Sequence, residues 1–194
     1  ISDKLEDYFK PRDYLVSPLN TPGKFIQGTY FLSVQQNEIK GKIINGLSAD
    51  NRIWGIQGAA GTGKSLLLYD VAKTASSEFR VCVIHSGIIC EGHKTLNRCL
   101  HNVSVIEAKA ISEELISQYD IICVDEAQRL YKSSVDMILS AYETGAIRGA
   151  IFAYDFAQVL SRTEFARNNP KRLKEVAGFR EEKLSDRIRT NKEL

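Results

Sequence analysis

The stretch Gly58-Ala-Ala-Gly61-Thr-Gly63-Lys64-Ser65 constrains the chain most, because of what stands on either side of it. Ahead of it, Ile53-Trp54-Gly55-Ile56 is a short apolar run of strand type. Behind it, Lys64 to Ser76 carries apolar residues at 66, 67, 68, 71 and 72, a helical period. A buried strand, a glycine-rich turn and an amphipathic helix make the first half of a βαβ unit, and the turn itself fits G-x-x-x-x-G-K-[ST]. Its glycines let backbone N–H groups turn inward around an anion, and the helix start adds its positive dipole end to the same spot. Gly58, Ala59, Ala60, Gly61, Thr62, Gly63, Lys64, Ser65 and Leu66 are therefore the expected cradle for a nucleotide's phosphates. Lys64 would reach the β/γ oxygens and Ser65 would ligate Mg²⁺.

From about residue 51 onward, short β-rich runs alternate with longer helical patterns. That is the signature of an α/β chain with a mainly parallel sheet, layered between helices. The strand runs are Arg52 to Gln57, Arg80 to His85, Val103 to Glu107, Tyr119 to Asp125 and Gly149 to Asp155, so a five- or six-stranded sheet is expected. A second helix is predicted over Ser133 to Thr144, with Val135, Ile138, Leu139 and Tyr142 on one face. Earlier, Ser33 stands as an N-cap with Gln36 at the third helical position, as in a capping box. The first thirty residues hold three of the four prolines and read as loop, so residues 1–28 are expected to be an extension or linker to a domain over 29–194.

With 194 residues, 43% hydrophobic and 26% charged, the chain can bury one sizeable core. Ile1 at the start and the charged run at the end suggest a piece of a longer protein. The net charge of +2 does not by itself announce a nucleic-acid binder, although Lys and Arg recur from Arg162 to Lys192. No stretch is apolar enough to cross a bilayer and no secretory leader is visible, so a soluble, cytoplasmic protein is expected. Cys82 and Cys123 lie inside predicted strands as small hydrophobes, and the spacing of Cys90, His93, Cys99 and His101 matches no usual zinc finger.

Two further strand ends carry polar chemistry. Ile121-Ile122-Cys123-Val124 runs into Asp125-Glu126-Ala127-Gln128, which puts two carboxylates at the edge where open α/β sheets bind ligands. Asp125 can hold the metal with Ser65, and Glu126 can orient or deprotonate a water attacking the γ-phosphate. Phe152-Ala153-Tyr154-Asp155-Phe156-Ala157-Gln158 repeats the pattern, with Gln158 placed to sense the same phosphate. In Leu184-Ser185-Asp186-Arg187-Ile188-Arg189-Thr190-Asn191, an arginine aimed back at the site would act as an arginine finger.

Taken in order, Gln36, GAAGTGKS, VDEAQR, AYDFAQ and LSDRIRTN resemble the first RecA-like domain of superfamily 1 helicases, and most closely the ATP-binding helicase-like domain of Schlafen-type proteins. The resemblance covers about residues 29 to 194. It implies that Gln36 reads the adenine edge and that Gln128 and Gln158 couple nucleotide state to nucleic acid. Arg189, five residues after Leu184, takes the place of the family arginine. The implied activity is Mg-dependent ATP hydrolysis, with single-stranded DNA or RNA and a second RecA-like domain as partners. The third motif departs from the family's glycine-aspartate-proline, since Tyr154 and Phe156 flank Asp155. Val83 to Gly87 stands where a helicase touches single strands, without an aromatic platform beside it. That last feature keeps a nucleotide-gated switch, with no strand translocation, as the alternative.

Overall fold

The structure is a computed structural model that describes residues 16–49, 52–155 and 169–185. Its frame is a six-stranded parallel sheet formed by Ile53–Gly58 (β1), Val81–His85 (β2), Val103–Glu107 (β3), Ile121–Asp125 (β4), Gly149–Tyr154 (β5) and Arg180–Leu184 (β6). The spatial order is β3-β2-β4-β5-β1-β6. The helices are Pro22–Gln27 (α1), Val34–Ser48 (α2), Lys64–Ala75 (α3), Glu91–Cys99 (α4), Glu113–Ile116 (α5), Lys132–Glu143 (α6) and Asn169–Lys174 (α7).

Right-handed crossovers decide which face each helix covers. Passage from β1 to β2 to β3 runs toward one edge of the sheet, and α3 and α4 fall on one face with α1 and α2. Passage from β3 to β4, β5 and β6 runs the other way, and α5, α6 and α7 fall on the opposite face. Both faces of the sheet are thus covered, which is why its central strands read as continuous apolar runs rather than alternating ones. The alternation survives as a choice between two cores. In β4, Ile121 and Cys123 join the α3 layer while Ile122 and Val124 join the α6 layer.

One expectation needs correction. The segment read as loop contains α1, whose Pro22 sits at the helix start and whose Gly28 closes the helix at φ 73°. Proline is tolerated there because the first-turn N–H has no helical acceptor to lose. Phe25 of this helix is buried against Tyr30 and Tyr69, so residues ahead of 29 pack in the same layer as those after it. The sheet has the upper of the two strand numbers expected, and its sixth strand, β6, is one that no strand-like run marks in the sequence. Its side chains Arg180, Glu181, Glu182 and Lys183 hide a strand whose pairing partner is β1. At its N-terminal side Arg180 lies over the Trp54 ring, and Glu181 accepts a hydrogen bond from Tyr154.

Candidate functional site

The site lies at the C-terminal end of the sheet, where the strand order reverses around β1, β5 and β4. The turn after β1 is shaped by its glycines. Gly61 and Gly63 hold φ of 78° and 79°, open to glycine and strained for other residues. Gly58 is fixed for a different reason: a Cβ there would lie 2.5 Å from Thr62 Oγ1 and 3.1 Å from Leu184 Cβ. Thr62 donates its hydroxyl to the Ala59 carbonyl at 2.9 Å, bracing the turn from inside. Lys64 opens α3, is buried, and donates to the Ala59 carbonyl at 3.0 Å with Asp155 Oδ2 at 4.0 Å.

The same strand alternation that sorts the core also aims the polar ends. Odd-numbered residues of β4 face α3, so Asp125, next in that series after Cys123, points at the first turn of α3. There Ser65 donates its hydroxyl to Asp125 Oδ1 at 3.1 Å. On the neighbouring strand, His85 closes the series Val81 and Val83 and brings Nδ1 to 3.8 Å from Asp125 Oδ2. Ser86 then donates to the Asp125 backbone carbonyl at 2.9 Å. Asp125 is therefore buried, bonded by the Ser65 and Ser86 hydroxyls and flanked by the His85 ring.

Glu126 follows in the left-handed region, at φ 55° and ψ 47°. Backbone strain of this kind costs about 1–3 kcal/mol and persists only where neighbours enforce it. The Glu126 carboxylate is held by Gln128, which donates to its Oε2 at 2.7 Å and accepts the Asp155 N–H at 3.3 Å. Glu126 lines a cavity of about 300 Å³ together with Gly61, Gly63, Lys64 and Ser65, so the carboxylate and the phosphate turn share one space.

Gln36 is 1% exposed. Its Oε1 accepts the Ser33 N–H at 2.9 Å, completing the expected capping box, and its Nε2 donates to the Thr62 carbonyl at 3.2 Å. It thus stands directly behind the phosphate turn. Its neighbour Gln35, not singled out in the sequence, bonds the Lys183 carbonyl, the Ser185 hydroxyl and the Ser185 N–H, each at 3.1 Å. A Gln-Gln pair at a helix start gives no sign of which member serves which neighbour. Gln158, Arg187 and Arg189 lie outside the described residues.

The Cys90 and His93 pair has a structural role. Cys90 N–H donates to His93 Nδ1 at 3.0 Å, which leaves the neutral ring's proton on Nε2. Burial, and to a lesser degree His85 at 4.4 Å between ring centroids, push the His93 imidazole down to about 4. Among the described residues no group of three His, Cys, Asp or Glu side chains could hold a metal ion. Cys82 and Cys123 are free and buried, and burial pushes the Cys82 thiol up to about 12.

The family model of the Schlafen group 3 DNA/RNA helicase domain matches residues 51–193. The chain belongs to this family. That family is one of helicase-like P-loop ATPases, and the matched residues run from β1 through β6. No curated protein sequence matches it. Among solved structures, it is similar to AMPPCP-bound DnaA from Aquifex aeolicus, with 16% identity, a TM-score of 0.51, and coverage of 87% of this chain and 52% of that one. It is likewise similar to a DNA replication initiation factor (15% identity, TM-score 0.52, 84% and 50% covered). Pif1 from Bacteroides sp. in complex with ADP-AlF4 gives 15% identity, a TM-score of 0.50, and 81% and 43% coverage. These likenesses establish the fold, and the chain spans about half the length of these three structures. No described helix is long and apolar enough to cross a membrane.

Proposed function

We propose that this domain binds ATP with Mg²⁺ and hydrolyses it, as the first RecA-like domain of a helicase-like protein acting on single-stranded DNA or RNA. The observation that carries the reading is the convergence of Lys64, Ser65, Asp125 and Glu126 at one sheet end, with the Ser65 hydroxyl 3.1 Å from the Asp125 carboxylate. A turn bent through positive φ at Gly61 and Gly63 and running into the start of α3 suits the β- and γ-phosphates. Lys64 exchanges its contact with the Ala59 carbonyl for a phosphate oxygen.

A hydroxyl and a carboxylate paired in this way fit Mg²⁺, which takes one or two protein oxygens and fills its shell with phosphate and water. Ser65 and Asp125 would hold it, and its chemistry is to neutralise charge building on the phosphate oxygens. Glu126 orients the attacking water and accepts its proton, while Gln128 keeps that carboxylate aimed. Gln36, behind the phosphate turn, is the residue proposed to read the adenine edge. Gln158 and Arg189 are proposed to act on the γ-phosphate, with a second RecA-like domain completing the site. Ser86 links the strand-contact edge to Asp125 through its bond to the Asp125 carbonyl.

The test is steady-state ATP hydrolysis by the full-length protein, with and without single-stranded DNA or RNA, at two salt concentrations. Stimulation that weakens with salt supports a nucleic-acid motor. ATP binding with no stimulation shifts the reading to a nucleotide-gated switch. Glu126→Gln is expected to retain ATP and stop turnover, and Lys64→Ala to lose ATP; normal turnover in the first or full affinity in the second removes that residue from its role.

A further inference from the structure

The cavity at the phosphate turn has a wall that comes from outside the matched residues 51–193. Val16, Ser17 and Pro18 line it together with Gly61, Gly63, Lys64, Ser65 and Glu126. This segment is built in, not draped over. Val16 is 7% exposed and belongs to the core of the α3 layer, and Pro18 is buried.

Behind the wall, Ser17 to Thr21 form a tight turn. The Thr21 N–H donates to the Ser17 carbonyl at 2.9 Å, and the Thr21 hydroxyl donates to the same carbonyl at 3.0 Å while accepting the Ser17 N–H at 3.1 Å. Ser17 Oγ accepts the N–H groups of Leu19 and Asn20 at 3.3 and 3.2 Å. The turn is then seated on α4 at a place made for it. A Cβ on Gly92 would lie 1.9 Å from the Leu19 carbonyl oxygen and 2.7 Å from its carbon. Both atoms are backbone, so no side-chain rotation relieves such a clash. Gly92 is there because the Leu19 backbone needs the space.

We propose that Val16–Thr21 is a fixed wall of the nucleotide pocket, locked by the seating of Leu19 on Gly92, and that it slows release of a nucleoside triphosphate from the P-loop. The inference rests on the P-loop reading above. A segment that lines a pocket without supplying charged groups adds contact to the bound nucleotide and does not steer its encounter, so its effect falls mainly on the dissociation rate. Its residues are positioning residues; none is required to touch the reacting phosphate.

The experiment measures association and dissociation of a fluorescent ATP analogue with Mg²⁺ by stopped flow, on the full-length protein. Gly92→Ala pushes the Leu19 carbonyl away and is expected to speed release about tenfold, with association changed by less than about twofold. Pro18→Gly, which strips lining surface, and Thr21→Val, which removes the hydroxyl bonds to Ser17, shift release in the same direction by a smaller factor; they decide the matter should Gly92→Ala fail to fold. Ile138→Val, in the opposite core layer, should release nucleotide at the parent rate even where its melting temperature falls as far. Parent-rate release in folded Pro18→Gly and Thr21→Val, or equal acceleration by Ile138→Val, overturns the wall alone. Absence of saturable binding by the parent protein overturns the P-loop reading and the wall with it.

Discussion

Gln128 donates its side-chain amide to Glu126 at 2.7 Å, two residues away along a chain that turns through the left-handed region between β4 and a single 3-10 turn. The other end of the same amide accepts the Asp155 N–H at the tip of β5. One buried side chain therefore ties the proposed water-orienting carboxylate to the strand that separates it from the phosphate turn.

Loss of that tie should act on turnover rather than on binding. For Gln128→Ala, kcat for ATP is expected to fall about 10–100-fold, because a misaimed general base forfeits most of its contribution. The nucleotide's dissociation constant should stay within about threefold, since Gln128 lies off the phosphate turn. A matched fall in affinity with unchanged kcat would remove Gln128 from the positioning role.

How much of this was legible beforehand depends on the kind of signal. The phosphate turn, the five apolar strands and the Ser33 cap declare themselves through local pattern, and each stands within a residue or two of where the sequence puts it. The sixth strand does not, because Arg180-Glu181-Glu182-Lys183 offers neither an apolar run nor period-two alternation; only pairing with β1 makes it a strand. Helix α1 fails for the opposite reason, since proline at its first position looks like loop punctuation. Within the site, strand parity predicts that Asp125 faces Ser65, but nothing local predicts His85 beside it or the wall at Val16–Pro18. Those are contacts between segments far apart in sequence.

Gly58→Ala tests close approach instead of chemistry. The added methyl would press on Thr62 Oγ1 and Leu184 Cβ, one on the phosphate turn and one on β6. Overpacking of this sort costs about 1–3 kcal/mol, and part of the relief must come from movement of the turn itself. A lowered melting temperature is expected together with weaker ATP binding. Unchanged affinity in a destabilised variant would show that β6 yields in place of the turn.

Gln36→Ala removes two things at once. It takes away half of the capping box, worth about 1 kcal/mol, and leaves the Thr62 carbonyl without its buried donor. A melting transition lowered by several degrees is therefore expected whatever the nucleotide. The adenine-reading role adds a separate expectation, that the affinity ratio of ATP to GTP falls toward unity. Destabilisation with an unchanged ratio would assign Gln36 to the scaffold of the turn and move base recognition elsewhere.

The Cys90–His93 contact predicts how acid unfolds this layer. His93 accepts the Cys90 N–H through Nδ1, so the native state needs the ring neutral, and burial beside His85 holds it so down to about 4 even though Asp125 pulls the other way. The unfolded chain takes up that proton near the ordinary value of 6.5. Between the two, the unfolded state binds more protons at this site, so the contribution of His93 to stability falls as pH drops from 6.5 toward 4 and rises as it returns. His93→Gln keeps an acceptor for the Cys90 N–H but cannot titrate. Its urea midpoint should accordingly vary less with pH across that window than the parent's, and parallel curves for the two proteins would mean that some other group carries the acid sensitivity.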